Sequence, residues 1–184
     1  MNIEVIAEHS VDLDLLPYSG ANILDCGCRG MLFTNEMRRR GHNVIALDCD
    51  DLGHNGYVRL AIGDSVCRVG IKRSKDVQAT AICVGNEVDC TTIQQLCKDY
   101  KIDFFDVIKL DIEGLEFEVI MSMDRPYAKQ ISWEAHLHTG VYGEAEILMM
   151  ENKLLQLGYF PVQHDRTRQH GLSYNYWDSL WVLV

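Results

Sequence analysis

The stretch DVIKLDIEGLEFE, residues 106–118, constrains the fold more than any other part of the chain. Apolar residues dominate positions 104–112, which is typical of a strand buried on both faces of a parallel sheet. Three carboxylates, Asp111, Glu113 and Glu116, then surround Gly114, a residue that lets the chain turn into a helix. Because ligands bind beyond the carboxyl ends of the strands in open α/β sheets, we expect these acids to face a site.

A helix start is the alternative interpretation of these acids, since carboxylates in a first turn complement the helix dipole. This alternative explains Glu116 and, in part, Glu113. It does not explain Asp111, because an unpaired charge within an apolar strand is costly. We therefore interpret Asp111 as a residue of the site.

The length and composition predict one domain that covers residues 1–184, since the chain is 47% hydrophobic and contains only three prolines. Residues 1–20 form a leading segment that is expected to cover an edge or mouth of this domain, with Ser10 capping a short helix from Val11 to Leu16. The net charge of -10 repels phosphate backbones, and the basic run 38–40 falls late in a predicted helix, where the dipole favours it. A nucleic-acid partner is not expected.

Seven cysteines, an odd number without a CxxC pair, lie mostly in apolar surroundings, as reduced structural thiols do. The first ten residues carry acids and no long apolar run, so we predict no signal peptide. No segment approaches the roughly 20 apolar residues of a membrane span. We expect a cytoplasmic protein with no membrane partner, and the sequence leaves its oligomeric state open.

A strand from Ala21 to Cys26, the turn DCGCRG and a helix over 31–40 follow the leading segment. Gly27 and Gly30 would let the backbone approach a ligand at the amino terminus of this helix. Asp48 ends the next strand 23 positions after Asp25, where an acid that binds ribose hydroxyls lies in such folds. Any α/β turn can supply these residues by chance, so the pattern alone is weak.

The remaining patterns predict an α/β fold: a Rossmann-like three-layer sandwich around a mostly parallel seven-stranded sheet. The sheet is expected to close with a C-terminal antiparallel strand pair, 159–163 and 179–184. A third strand is predicted over 57–62, a small β insertion over 65–90, and helices over 92–100, 115–123 and 144–157.

Alternation along the strand Gln130–Leu137 puts Glu134, His136 and His138 on one side. His136 is the first candidate for a general base, because its unperturbed pKa lies near working pH, and Glu113 and Glu134 come second. The alternative is that His136 only satisfies a strand end by bonding a neighbouring carboxylate. A divalent metal held by this row and Asp111 is a further possibility, which the sequence does not favour.

The motifs together resemble the FkbM family of S-adenosylmethionine-dependent methyltransferases over nearly the whole chain from Ala21. They are ANILDCGCRG, VIALDCD, RLAIGD, EVDCTTIQQL, VIKLDIEGLEFEVI, ISWEAHLH and LLQLGYF. The DxEG element after an apolar strand that contains a lysine is the most specific of them.

The resemblance implies S-adenosylmethionine as cofactor and assigns roles residue by residue. Its cofactor-binding residues would be Asp25, Gly27, Cys28, Arg29 and Gly30 along the methionine part, Asp48 on the ribose, and Ile62 with Asp64 around the adenine. The reaction chamber would contain Asp111, which also borders the cofactor, with Glu113, Glu134 and His136.

The implied reaction is O-methylation of a sugar-like or other small hydroxyl acceptor, which Tyr142, Tyr174, Tyr176 and Trp177 would border. Arg29 and Met31 depart from the small residues usual in such loops. A catalytically silent cofactor-binding module is therefore kept as an alternative. A nicotinamide-dependent oxidoreductase is less favoured, because the loop lacks a third glycine and the sheet is expected to close with an antiparallel pair.

Overall fold

The computed structural model describes residues 1–73, 80–137, 140–164 and 176–184. Its helices are α1 (Leu32–Arg39), α2 (Ile93–Tyr100), α3 (Glu116–Ser122) and α4 (Glu144–Gln156), and a 3-10 turn spans Leu13–Leu15. Its strands are β1 (Ile3–Ile6), β2 (His9–Asp12), β3 (Asn22–Cys26), β4 (Asn43–Asp48), β5 (Val58–Arg59), β6 (Ala61–Ile62), β7 (Cys67–Arg73), β8 (Thr80–Thr91), β9 (Phe105–Leu110), β10 (Ala128–His136), β11 (Tyr159–His164) and β12 (Tyr176–Leu183).

The main sheet has seven strands in the order β11-β12-β10-β9-β3-β4-β5. Neighbouring strands from β10 to β5 run parallel, whereas β12 is antiparallel to both β10 and β11. β4 pairs with one edge of β3 and β9 with the other, so successive connections leave β3 in opposite directions. The carboxyl ends of β3, β4 and β9 therefore border one crevice, where α/β folds bind ligands. The predicted mostly parallel seven-stranded sheet with an antiparallel C-terminal pair is confirmed.

The central strands are buried on both faces, as their nearly continuous apolar sequences predict. Leu24 and Ile108 point to one face, where they share a core with residues of α2, α3 and α4. Ile23 and Val107 point to the other face and pack with Met37 of α1. The sheet is therefore the middle of three layers, as predicted.

The predicted third strand over 57–62 is two strands that belong to different sheets. β5 pairs with β4, and the Leu60 N–H then bonds the Asp48 carbonyl at 2.9 Å. Directly afterwards β6 leaves the main sheet and pairs with β8, in a three-stranded sheet of order β6-β8-β7. This smaller sheet is the predicted β insertion, and residues 74–79 lie outside the described part of the chain.

The leading segment is a hairpin rather than the predicted helix. β1 and β2 pair through Val5 and Ser10, so Ser10 lies within a strand and caps nothing. Only one 3-10 turn follows, and Asp12 caps it by accepting the Asp14 N–H at 3.1 Å. The pairing of β1 with β2 therefore determines the structure of this segment, and the weak helical pattern of residues 11–16 does not.

The hairpin packs over the main sheet, where β2 contacts β10 and β12. The buried side chain of Gln130 on β10 fixes it there, because it accepts the Asp12 N–H at 2.8 Å and donates to the Asp12 carbonyl at 3.1 Å. Ala7 and Glu8 make the turn in the left-handed region, with φ of 47° and 76°. This packing brings His9 to the carboxyl end of β9. No helix in the described part of the chain is both long and apolar enough to cross a membrane.

Candidate functional site

A cleft of about 310 Å³ opens at the carboxyl ends of β3, β4 and β9. We call it the loop cleft, because the turn after β3 forms its floor. Its volume falls within the roughly 300–1,000 Å³ that is usual for small-molecule sites. It is lined by Cys26, Gly27, Arg29, Gly30, Leu47, Asp48, Cys49, Leu60, Ala61, Ile62, Ile82, Asp111, Ile112, Glu113 and Leu115.

The glycines of the turn have different structural roles. Gly27, at φ +80°, donates its N–H to the Leu47 carbonyl, and a Cβ there would come within 1.7 Å of the Asp111 carbonyl oxygen. Gly27 therefore lets β3 and β9 approach closely. A Cβ on Gly30, at φ +75°, would meet no atom within 4 Å, so a ligand can approach the backbone at Gly30.

The two unusual residues of the turn are both accommodated. Met31 adopts a left-handed φ of 57° and buries its side chain in a small apolar cluster with Cys28 and Ala46. Arg29 lines the cleft and makes an ion pair with Asp50 at 3.0 Å. Neither side chain fills the loop cleft, so the departure from small residues leaves space for a ligand.

The predicted ribose and adenine residues divide into two groups. Asp48 and Ile62 both line the loop cleft, and the backbone hydrogen bond from Leu60 to Asp48 holds their two segments together. Asp48 Oδ1 accepts the Asp50 N–H at 2.9 Å, and burial raises the pKa of this carboxyl. Asp64 is exposed, bonds Ser65 at 2.9 Å and does not line the cleft. The structure does not bring Asp64 to the site, because the chain turns away with β6.

Asp25 and Cys28 line a second cavity of about 330 Å³ rather than the loop cleft. Asp25 is fully buried, accepts a hydrogen bond from Thr34 Oγ1 at 2.5 Å and lies 3.0 Å from Lys109 Nζ. Arg29 and Asp111 border both cavities, which therefore meet beside Asp111. Asp25 acts on the loop cleft through Lys109, which donates to the Gly27 carbonyl at 2.7 Å.

The four predicted chamber residues converge at the ends of β9 and β10. His136 Nε2 lies 3.4 Å from Asp111 Oδ1, 3.5 Å from Glu134 Oε2 and 3.8 Å from Glu113 Oε2. With Glu116, these residues form what we call the acid–histidine cluster. Asp111 and Glu113 also line the loop cleft, so the cluster borders this cleft, as expected from the strand order.

His136 does not have the unperturbed pKa that the sequence interpretation assumed. Its ring is 3% exposed, and its Nδ1 lies 2.9 Å from Glu116 Oε1. Burial opposes the charged form, but Glu116, Asp111 and Glu134 outweigh it and raise the pKa of His136 well above its usual value. The carboxylates around the ring therefore favour the protonated imidazole.

The carboxyls around His136 are shifted in opposite directions. Burial raises the pKa of both Glu113 and Glu134, although His136 opposes the shift. Burial also opposes ionisation of Asp111, but Lys109, His136 and His9 hold the pKa of Asp111 well below its usual range. Asp111 is thus held in its ionised form, while Glu113 and Glu134 take up protons more readily than ordinary glutamates.

The backbone at Glu113 is strained, which agrees with a functional position. Glu113 adopts a left-handed φ of 56°, and Gly114 follows with φ 112°. Such a conformation costs a non-glycine residue about 1–3 kcal/mol and is found where the surroundings impose it, often at active sites. Here the carboxylate of Glu116 imposes it, since it accepts the N–H groups of Ile112 and Gly114, each at 3.0 Å.

Three residues of the site escaped the sequence analysis: His9, Lys109 and Asp178. Lys109 carried a signal, because a lysine within a buried strand requires partners, which are Asp25 and Asp111. Glu116 was among the acids expected at the site, with a helix start as the alternative, whereas His9 and Asp178 carried no local signal. His9 lies between Asp111, at 3.4 Å, and Asp178, at 3.3 Å.

The aromatic residues expected at the mouth are only partly described. Tyr142 is buried and supports the cluster, since its hydroxyl donates to Glu116 Oε2 at 3.1 Å and accepts the His136 N–H at 2.8 Å. Trp177 is buried as well. His138 and Tyr174 lie outside the described residues, as does the side chain of Tyr176.

Comparison with known proteins gives one sequence family and a set of similar folds. The profile of the methyltransferase FkbM domain matches residues 35–161, which is more than half of the chain and begins after the glycine turn. No curated protein matches the chain.

Three solved structures of similar fold are methyltransferases by description. A TehB-like SAM-dependent methyltransferase from Corynebacterium glutamicum is 12% identical, with a TM-score of 0.47, and the match covers 94% of this chain and 85% of that one. The ribosomal protein L11 methylase from Lactobacillus delbrueckii subsp. bulgaricus is 12% identical over 93% and 74% of the chains, with a TM-score of 0.47. Magnesium protoporphyrin IX methyltransferase from Synechocystis, solved with bound SAM, is 14% identical over 91% and 72%, also with a TM-score of 0.47.

Proposed function

Because the chain belongs to the methyltransferase FkbM family, we propose that it transfers the methyl group of S-adenosylmethionine to a hydroxyl of a small or sugar-like acceptor. The observation that carries this proposal is the meeting of the loop cleft with the acid–histidine cluster at Asp111 and Glu113. One side of that junction suits a nucleoside, and the other offers groups that can accept a proton.

The residues of the loop cleft fit the cofactor. Asp48 ends β4 within the cleft, and its Oδ2 accepts no hydrogen bond from the described residues, so it is available to ribose hydroxyls. Leu60, Ala61 and Ile62 provide an apolar wall for an adenine ring. The open backbone at Gly30 suits the methionine part. When bound, S-adenosylmethionine supplies a methyl carbon on a sulfonium, which is itself a good leaving group.

Positioning is the main task of this chain's residues. Holding an acceptor in line with the methyl carbon contributes on the order of 7–11 kcal/mol to lowering the barrier. A hydroxyl must also lose its proton as its oxygen bonds to the methyl carbon, and a positioned base contributes roughly 10²–10⁴ in rate. We assign the acceptance of this proton to Glu113, because its carboxylate lines the loop cleft and its strained backbone fixes the position of its Cβ atom.

In this proposal His136 orients the surrounding carboxylates and is not the base that removes the proton. Its Nδ1 side is occupied by Glu116, and its Nε2 faces Asp111, Glu134 and Glu113. In this position it orients the carboxylates toward the acceptor.

The seven free cysteines support a reducing compartment, the cytoplasm, as the place where the enzyme works.

Calorimetric titration with S-adenosylhomocysteine tests the cofactor half of the proposal. We expect binding by the wild type and a loss of affinity of about 10- to 100-fold in Asp48→Asn, since a hydrogen bond to a charged group contributes about 1.5–3 kcal/mol. Asp64→Asn is the matched control and should bind like the wild type, because Asp64 lies outside the cleft. Absence of binding at millimolar ligand overturns the proposal.

Transfer of a labelled methyl group to a panel of hydroxyl acceptors tests the second half. Product formation that falls in Glu113→Gln supports the assignment. Cofactor binding without transfer to any acceptor indicates a silent cofactor-binding module instead. A change in the fluorescence of a reduced nicotinamide dinucleotide on mixing indicates an oxidoreductase.

A further inference from the structure

The two histidines of the site are held in the same way, although they come from different parts of the chain. His9 lies on the leading hairpin and His136 at the end of β10. Each ring has a carboxylate behind its Nδ1: Asp178 at 3.3 Å from His9, and Glu116 at 2.9 Å from His136. Each ring presents Nε2 to Asp111, at 3.4 Å in both cases.

A carboxylate behind one ring nitrogen is the usual arrangement of a histidine that binds metal through its other nitrogen. The rear carboxylate fixes the orientation of the ring and makes the ligating nitrogen more basic. His9 and Asp178 are both at least nine-tenths buried, so water does not compete for their contact at 3.3 Å. Two such rings directed at one carboxylate favour a metal site over the alternative that His136 only makes a hydrogen bond at the end of a strand.

We propose that Asp111, His9 and Glu134 bind a divalent cation of the first transition series, with His136 as the adjacent ligand. One ligand atom from each of His9, Asp111 and Glu134 lies within 4.8 Å of the others, and a second group that includes Asp111 and His136 meets the same condition. Bonds of about 2.0–2.2 Å from oxygen and nitrogen to such a cation fit these spacings after small side-chain rotations. Imidazole with carboxylate suits Zn²⁺ or Mn²⁺ better than Mg²⁺ or Ca²⁺.

The local charges and the access to the site agree with a bound cation. Asp111, Glu113, Glu134 and Asp178 crowd together, and the nearby ammonium of Lys109 is shared among Asp111, Asp25 and the Gly27 carbonyl. Asp111 borders both the loop cleft and the second cavity, so a cation there can be reached from either side.

The catalytic role of the cation rests on the proposed function, but the binding site does not. In that role the cation would supply Lewis-acid chemistry to an acceptor hydroxyl beside Glu113.

Equilibrium dialysis of untagged, chelator-treated protein against Mn²⁺ or Zn²⁺, followed by elemental analysis, tests the site. We expect about one equivalent per wild-type chain, and we expect His9→Gln and Glu134→Gln to lose more affinity than the roughly 10- to 100-fold typical of a lost outer-shell partner. Asp178→Asn, which removes the carboxylate behind His9, should lose about 10- to 100-fold. His54→Gln, an exposed histidine outside the cluster, should bind like the wild type.

Thermal denaturation guards against misfolded variants, because a bound cation raises the melting temperature by mass action. We expect the rise in the wild type and in His54→Gln, and its loss in folded Glu134→Gln. Absence of binding by the wild type, or equal binding by all variants, overturns the inference. A wild type that binds S-adenosylhomocysteine but no metal overturns the metal site alone, whereas one that binds metal but no cofactor overturns the proposed function alone.

Discussion

Glu116 Oε1 lies 2.9 Å from His136 Nδ1, so an acid in the first turn of α3 fixes the imidazole at the end of β10. The same carboxylate accepts the N–H groups of Ile112 and Gly114 and the hydroxyl of Tyr142. One buried side chain thus holds the strained turn after β9 and the ring that faces Asp111. A residue with four partners and no exposed surface should be among the least replaceable in the chain.

Glu116→Gln should lower the free energy of unfolding by about 1.5–3 kcal/mol, the usual contribution of a hydrogen bond to a charged group. An amide has one acceptor oxygen, so its NH₂ group would face a backbone N–H or the imidazole. Urea denaturation measures the change. Glu118→Gln is the control on the same helix, because Glu118 Oε2 accepts no hydrogen bond from the described residues. Its effect should stay within about 0.5 kcal/mol, and equal losses in both variants would contradict this account.

The glycines of the turn after β3 should differ sharply when each is replaced by alanine. Both have positive φ, so both variants incur the left-handed penalty of about 1–2 kcal/mol. Gly30→Ala meets nothing further, and its melting temperature should fall by about 2–8 °C in a chain of this size. Gly27→Ala must also move the Asp111 carbonyl, which would lie 1.7 Å from the new methyl group. We expect it to fail to fold, and similar melting temperatures for the two variants would refute the close approach of β3 and β9.

The convergence of the chamber residues was predictable from the sequence because it follows from strand order and side-chain alternation. An apolar strand that ends in Asp111 and a neighbouring strand that carries Glu134 and His136 must deliver them to the same edge of a parallel sheet. The structure places Asp111 Oδ1 3.4 Å from His136 Nε2. The pKa of His136 was not predictable, because it depends on how many carboxylates burial gathers around one ring.

Long-range packing decided what sequence patterns did not reveal. His9 reaches Asp111 only because Gln130, on a strand more than a hundred positions away, binds the backbone of Asp12. The family resemblance put Asp64 beside the adenine, directly after a strand predicted over 57–62, whereas in the structure β6 joins the β insertion instead. A local pattern specifies a strand but not the sheet that the strand will join.

Lys109→Met should destabilise the protein by about 3–5 kcal/mol, the usual cost of removing one partner of a buried ion pair. The ammonium lies 3.0 Å from Asp25 and 3.3 Å from Asp111, so its removal leaves the buried Asp25 without a counter-charge and takes one of three cationic partners from Asp111. Chemical denaturation of Lys109→Met, Asp25→Asn and the double variant measures the coupling. The double variant should be more stable than the sum of the single losses predicts, since it no longer buries an unpaired Asp25. Strict additivity would show that Lys109 and Asp25 do not act as a pair.

His42 should make the stability depend on pH. Its ring is buried, its Nδ1 accepts the Ala21 N–H at 3.3 Å, and burial together with the charge of Arg40 lowers its pKa from the usual 6.5. Above pH 6.5 the imidazole is neutral in both the folded and the unfolded chain. As the pH falls below that value the unfolded chain binds the proton first, so the contribution of His42 to stability is lost toward its lower folded-state pKa.

The difference in free energy of unfolding between the wild type and His42→Gln isolates this effect, because glutamine can accept the same N–H but does not titrate. Urea denaturation at a series of pH values from 8 to 5 measures it. We expect the wild type to be favoured most at the alkaline end and its advantage to shrink steadily as the solution becomes acidic. His9 and His136, whose raised pKa values act in the opposite sense, are present in both proteins and cancel in the difference. An advantage that is constant or grows on acidification would mean that the Nδ1 of His42 does not accept the Ala21 N–H.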